Sequence, residues 1–174
     1  LQKMHYLNSM GLKGDSGNFD LNWKNRTETN YLHWSSGQPK NQVQLAFRNH
    51  WNTFSRLIGP RVSKGKCLEV GCGRGSLSAY FAKNGWGCTL LDLSENVLER
   101  ASSAFREIGI SDAEFIAADC LNMPLPDNEF DVIFSIGLYE HFESIDSVAK
   151  EQYRCLKEGG MILAYVVPSK EIAV

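Results

Sequence analysis

Three glycines at alternate positions, Gly71, Gly73 and Gly75, follow directly on the apolar pair Leu68 and Val70, with Glu69 set between those two. Glycine at every second position lets a ligand lie almost on the backbone, because no Cβ stands in the way and a positive φ costs little. A dinucleotide turn has the form G-x-G-x-x-G and rests a pyrophosphate on the following helix N-terminus. Here the spacing is G-x-G-x-G, and Ser76 stands where the dinucleotide pattern wants glycine or alanine. Glu69 adds a carboxylate at the strand end, which repels a pyrophosphate and attracts a cation. A ligand with positive charge near the turn therefore fits better. Two further carboxylates, Asp92 and Asp119, close later apolar runs. Asp92 follows the turn by about twenty residues, where an acidic side chain accepts both hydroxyls of a ribose, a feature that does not separate one nucleoside cofactor from another. An acceptor at Asp119 can take the exocyclic amine of an adenine.

The elements that must position these groups are legible from periodicity. Residues 66–70 read as a short buried strand, and a helix begins near Ser76 and stops at Asn84-Gly85. Cys88 to Leu91 forms a second strand, and Ser94 caps a helix with Val97, Leu98, Ala101, Phe105 and Ile108 on one side. Glu114 to Ala118 and Phe130 to Ile136 are the third and fourth strands. A helix carrying Ile145, Val148, Ala149, Gln152 and Leu156 follows, and Gly159-Gly160 introduces a fifth strand, Met161 to Val167. Strands alternating with helices predict a Rossmann-like, doubly wound, mainly parallel sheet of α/β class. In such a sheet the strand ends share one edge, so Glu69, Asp92 and Asp119 converge on one crevice.

Upstream, Gln42 to Ile58 has apolar positions at helical spacing and is stopped by Gly59-Pro60, giving a leading helix 42–58 for a domain over 41–174. Residues 1–40 are polar and loop-like, yet carry Trp23, Tyr31 and Trp34. A solvated tail has no need of such aromatics, so the stretch Tyr31 to Trp34 is expected to close over the ligand or substrate as a lid.

With 174 residues, 43% hydrophobic and 22% charged, the chain has the composition of one ordinary globular domain. The longest apolar run is far short of the ~20 residues that a bilayer demands, and the N-terminus lacks a signal-peptide core. Five cysteines, at 67, 72, 88, 120 and 155, have neither metal spacing nor the even number of a disulfide framework. They read as reduced thiols in a cytoplasmic protein with no metal. Residues 1–66 hold ten Lys and Arg against three Asp and Glu, and the rest eight against seventeen, for a net charge of −2. The acidic body, together with basic residues interleaved with polar rather than stacking ones, argues against a nucleic-acid partner.

The successive stretches LEVGCGRG (68–75), LDLS (91–94), AADCLNMPLPDNEFDVIFS (117–135) and RCLKEGGMIL (154–163) resemble the motifs of the class I S-adenosylmethionine-dependent methyltransferases. The resemblance covers about residues 64–167. It implies S-adenosylmethionine as cofactor, S-adenosylhomocysteine as product, and a small-molecule methyl acceptor. Glu69, Gly71, Cys72 and Gly73 would face the methionyl portion, Asp92 the ribose, Leu93 and Cys120 the adenine faces, Asp119 the adenine amine, and Ile136 the transferred methyl. If the acceptor arrives protonated, a base is needed. His141 is the candidate because its ordinary pKa lies near neutrality, with Tyr139 and Glu140 as alternatives. A SAM-binding module without catalysis remains the second reading, and an NAD-linked dehydrogenase the third. The chain ends before the antiparallel strands usual in this family, so the fifth strand is expected to be an uncovered edge through which two copies pair.

Overall fold

Every residue of the strand Lys66–Val70 (β1) after the first is buried, and its side chains alternate between two apolar layers. Cys67 joins one layer with Phe81, Leu90, Phe105 and Phe134; Leu68 and Val70 join the other with Leu91, Met123, Ile133 and Cys155. Both faces of the sheet are therefore covered, as a parallel sheet requires. The computed structural model describes residues 32–59, 62 and 64–166. The expectations placed on Tyr31 and Val167 lie outside them.

The other elements are helix α1 (Gln42–Ile58), α2 (Ser76–Lys83), β2 (Gly87–Asp92), α3 (Glu95–Glu107), β3 (Glu114–Ala117), β4 (Phe130–Ile136), α4 (Asp146–Cys155) and β5 (Leu156–Tyr165). The sheet order is β3-β2-β1-β4-β5, and all four pairings are parallel. Winding reverses between β1 and β4, and the crevice outside the carboxyl ends of those strands is where such folds bind ligands. The expected doubly wound sheet is present, with β3 and β5 as its edges among the described residues.

Local sequence explains the elements. Asn41 caps α1, its side chain accepting from the Gln44 amide at 2.9 Å, while the Gln44 side chain accepts from the Lys40 amide at 2.7 Å. The first bond satisfies a donor that the opening helical turn leaves open, and the second ties the chain before the cap to that turn. Trp51 stacks on Tyr80, and Phe54 meets Phe134 edge-on, so α1 packs beside α2 over β4. The Ser94 hydroxyl accepts from the Val97 amide and caps α3 as the sequence predicts. On neighbouring strands Cys67 and Cys88 are register partners, and the Cys67 thiol donates to the Cys88 sulfur at 3.3 Å without a disulfide.

Two expectations need correction. The fifth strand begins at Leu156, not Met161, so Leu156 leaves the helix to which its spacing assigns it. The glycine pair lies inside the strand as a bulge: Phe130 pairs with Leu156, and Val132 already pairs with Met161. Gly159 takes φ 78, and a Cβ on Gly160 would lie 2.9 Å from the Asp131 carbonyl. Lys157 closes the bulge by donating to the Asp131 carboxylate. Glycines that look like a strand break thus let extra residues fold against a continuing ladder. The third strand also ends one residue early, at Ala117. From there to β4, residues 118–129 cross the sheet without a helix, because Pro124 and Pro126 lack the donors a helix needs.

Candidate functional site

The turn after β1 spends much of its own backbone. The amides of Gly71 and Cys72 both donate to the Leu91 carbonyl, at 2.8 and 3.0 Å, and the Gly75 amide donates to Cys72. All three glycines have positive φ, between 51 and 67°. The Gly73 amide donates to a side chain, Asp92 Oδ2, at 2.9 Å. The other Asp92 oxygen accepts from the Ser94 amide at 3.0 Å. Asp92 therefore ties the glycine turn to the start of α3, a geometry that holds its carboxylate at the carboxyl edge of the sheet.

Glu69 behaves differently from its reading as an open carboxylate. Alternation along β1 turns it toward α2, the same side as Cys67, and leaves it 3% exposed. Its Oε2 accepts from the Ser78 amide at 3.2 Å and the Ser78 hydroxyl at 2.5 Å. The cap residue of α2 is Gly75, which has no side chain, so Glu69 supplies the cap from the preceding strand. Burial pushes its pKa up to about 8, against the opposing pull of the two Ser78 bonds and with added repulsion from Asp92. The Cys72 thiol is buried as well, its pKa raised by burial and then by Asp92 and Glu69.

Beyond β3, Asp119 Oδ1 accepts from the Leu121 amide at 2.9 Å, and the Ala118 amide donates to the Asp92 carbonyl. The Cys120 thiol is pushed up to about 12 by burial and then by the fields of Asp119 and Asp92, so the three groups lie within electrostatic range of one another. Leu93 is 54% exposed beside them. After β4, Ile136 is half-buried and leads into the loop that carries Leu138. A Cβ on Gly71 would come within 3.0 Å of the Leu138 side chain, so this loop touches the glycine turn. Tyr139 and His141 belong to one short 3-10 turn. The Tyr139 hydroxyl donates to Gln152 Oε1 at 2.8 Å, and burial raises its pKa despite that bond, with Cys120 adding to the rise.

The structure thus brings together Glu69, Gly71, Cys72, Gly73, Asp92, Asp119, Cys120 and Tyr139 around one edge. Trp34 stands apart from the crevice: its ring meets Tyr80 edge-on and lies under the Lys83 ammonium, on the flank of α2. Its neighbour His33 comes nearer, its amide donating to the Ser76 hydroxyl at 3.0 Å. Sequence reasoning missed Ser78, which carries no motif, and the role of Gln152. A glutamine on the apolar face of a helix was the available signal. Among the described residues no group of three or more His, Cys, Asp or Glu side chains could hold a metal ion.

A parallel 3-2-1-4-5 sheet with a glycine turn and acidic strand ends at its reversal point defines a Rossmann-like nucleoside-cofactor fold. Residues 68–164 match the family described as a methyltransferase domain, and the chain belongs to that family, the class I S-adenosylmethionine-dependent methyltransferases. It is 37% identical over 100 residues to a sterol 4-C-methyltransferase of Caenorhabditis elegans, a match covering 57% of this chain and 30% of the relative. The PH0226 protein from Pyrococcus horikoshii superposes with a TM-score of 0.65 at 27% identity, covering 76% of this chain and 58% of that one. A Haemonchus contortus phosphoethanolamine N-methyltransferase, solved with phosphomonomethylethanolamine and S-adenosylhomocysteine, gives 0.60 at 26% identity, covering 67% and 27%. The chain therefore spans about a third of the length of the sterol relative. Among the described residues no helix is long and apolar enough to cross a membrane.

Proposed function

We propose that this chain is the cofactor-binding part of an enzyme that moves a methyl group from S-adenosylmethionine to a small-molecule acceptor by in-line displacement. The observation that carries the reading is the Asp92 carboxylate, fixed by the Gly73 and Ser94 amides at the reversal point of the sheet. Each oxygen accepts from a backbone amide, which fixes the orientation of a carboxylate placed where an acidic side chain can meet a ribose. Asp92 and Asp119 set two carboxylates at this edge, which suits a cofactor bearing an ammonium and a sulfonium.

When bound, the cofactor supplies a methyl group already activated by its sulfonium. Asp92 accepts the ribose hydroxyls, and the exposed Leu93 and half-buried Cys120 cover the adenine faces. Asp119, one oxygen of which holds its own loop, accepts the adenine amine. Gly71, Cys72 and Gly73 line the methionyl portion, with Glu69 buried behind the turn on Ser78, and Ile136 borders the transferred methyl. The protein's work is to hold acceptor and methyl in attack geometry and to keep water out. Where the acceptor arrives protonated, His141 takes the proton, since the Tyr139 hydroxyl is engaged with Gln152 and its pKa is raised. Small-molecule acceptors are supported by the relatives, named for a sterol and for phosphoethanolamine. A cytoplasmic setting is supported by five unpaired thiols, two of them in contact.

Titration calorimetry tests the reading. S-adenosylhomocysteine binds and NAD does not, and Asp92→Ala weakens the binding by about 1–3 kcal/mol, the value of a charged acceptor to a hydroxyl pair. Unchanged affinity in that variant would remove the ribose assignment, and a response to NAD alone would remove the methyltransferase reading.

A further inference from the structure

Residues 123–127, Met-Pro-Leu-Pro-Asp, run down the face of the sheet between the loop that carries Asp119 and the start of β4. A residue before proline is held extended, and the prolines have no donors. The backbone of this segment has no ladder or helix to join, so its polar groups need partners elsewhere. Helix α4 provides them. Arg154 Nη2 donates to the Met123 carbonyl at 2.9 Å and Nη1 to the Leu125 carbonyl at 2.7 Å, the two carbonyls that precede the prolines. Nη1 also reaches Asp127 Oδ1 at 2.6 Å. Glu151 holds the guanidinium from the other side, accepting from Nε at 3.0 Å and Nη2 at 2.9 Å. The same carboxylate accepts from the Met123 amide at 2.9 Å, so Met123 is gripped through both its donor and its acceptor. One residue away on the helix, Gln152 holds the Tyr139 hydroxyl of the loop after β4.

We propose that Arg154, with Glu151, is the positioning residue for adenine recognition: by clamping Met123 and Leu125 to α4 it fixes the height of the preceding Asp119-Cys120 wall. Arg154 itself bonds only to the crossing segment and to Glu151 in these contacts, so it acts through that segment. Its planar fork spans the two carbonyls at once, which a lysine ammonium cannot do. The Met123 side chain is buried in the layer that Cys120 packs against, giving the wall a second anchor whose depth the clamp sets. Gln152 references the opposite loop to the same helical turn, so both walls of the adenine end share one support.

The inference rests on the reading above in which Asp119 takes the adenine amine. Its readout is therefore selectivity, which a loss of folded protein does not move. S-adenosylhomocysteine and S-inosylhomocysteine differ at that amine, and calorimetry gives the ratio of their affinities. Arg154→Met is expected to cut the ratio about five- to tenfold, the value of an amine contact loosened rather than removed. Arg154→Lys is expected to recover part of it. A ratio within twofold of the parent in folded Arg154→Met overturns the proposal. Should Arg154→Met fail to fold, Arg154→Lys decides, since it keeps the charge but cannot span both carbonyls, and an unchanged ratio there overturns the proposal equally. A parent chain that binds neither nucleoside defeats the cofactor reading, whereas a parent that discriminates beside variants that discriminate equally defeats the clamp alone.

Discussion

Replacing Gly75 by alanine lowers the unfolding free energy by about 3 kcal/mol or more, as measured by urea denaturation. The new Cβ must adopt φ 67, a left-handed conformation that costs about 1–2 kcal/mol for any residue with a side chain. It would also lie 2.5 Å from Leu90 Cδ2 and 3.1 Å from a ring carbon of Phe105. Both side chains are 1% exposed or less and packed on every side, so neither can retreat cheaply. Gly159 provides the control. It has φ 78 with nothing within 4 Å of the added Cβ, so Gly159→Ala carries the backbone cost without the collision. A Gly75→Ala protein as stable as Gly159→Ala would show that the turn does not touch the core as described.

Stability falls as pH rises from about 5 to 9 in the parent, and Glu69→Gln removes that part of the fall which belongs to Glu69. The folded pKa of about 8 lies above the ordinary value of 4.5, so the folded state holds this proton more tightly than the unfolded chain. The resulting stabilisation is fully present below the unfolded pKa and is lost as pH climbs through the folded one. Glutamine keeps an acceptor for Ser78 but never ionises in the dry interior. The two proteins are therefore close in stability near pH 5, and by about pH 9 the variant gains roughly 2–4 kcal/mol on the parent. Every other titrating group is common to both, so the difference between two urea-melt series isolates this carboxyl. Parallel pH profiles would exclude the buried, proton-holding Glu69.

How much of this was legible in the sequence depends on the range of the interaction involved. Helix α1 is found over the residues that its apolar spacing marks, and Ser94 caps α3, because both are decided within a few residues of chain. Strand order could be approached because Glu69, Asp92 and Asp119 each close a strand, and parallel strands bring such ends to one edge. The direction of Glu69 was a matter of strand parity: odd positions of β1 face α2, so a carboxylate read as open to a cation instead caps a helix. The bulge in β5 was hidden because a glycine pair signals a break and a bulge alike, and only Lys157 meeting Asp131 selects the second. Arg154 was invisible for a related reason. Its partners other than Glu151 lie between 27 and 31 residues away along the chain, and no spacing rule connects a helix terminus to carbonyls in a proline segment.

The touching sulfurs of Cys67 and Cys88 give the molecule an internal clock. Both lie with Cys72 in a layer of aromatic rings, 0 and 4% exposed, while Cys155 is buried in the opposite layer. A thiol reacts as its thiolate, and burial holds the thiols of Cys67, Cys72 and Cys155 in the protonated form. A colorimetric disulfide reagent added to the folded protein meets Cys120 first, the least enclosed of the five. Sulfurs on the central strands wait until the sheet itself parts. The slow phase of such a labelling trace thus reports the opening of the central strands under native conditions, with no engineered label and no denaturant.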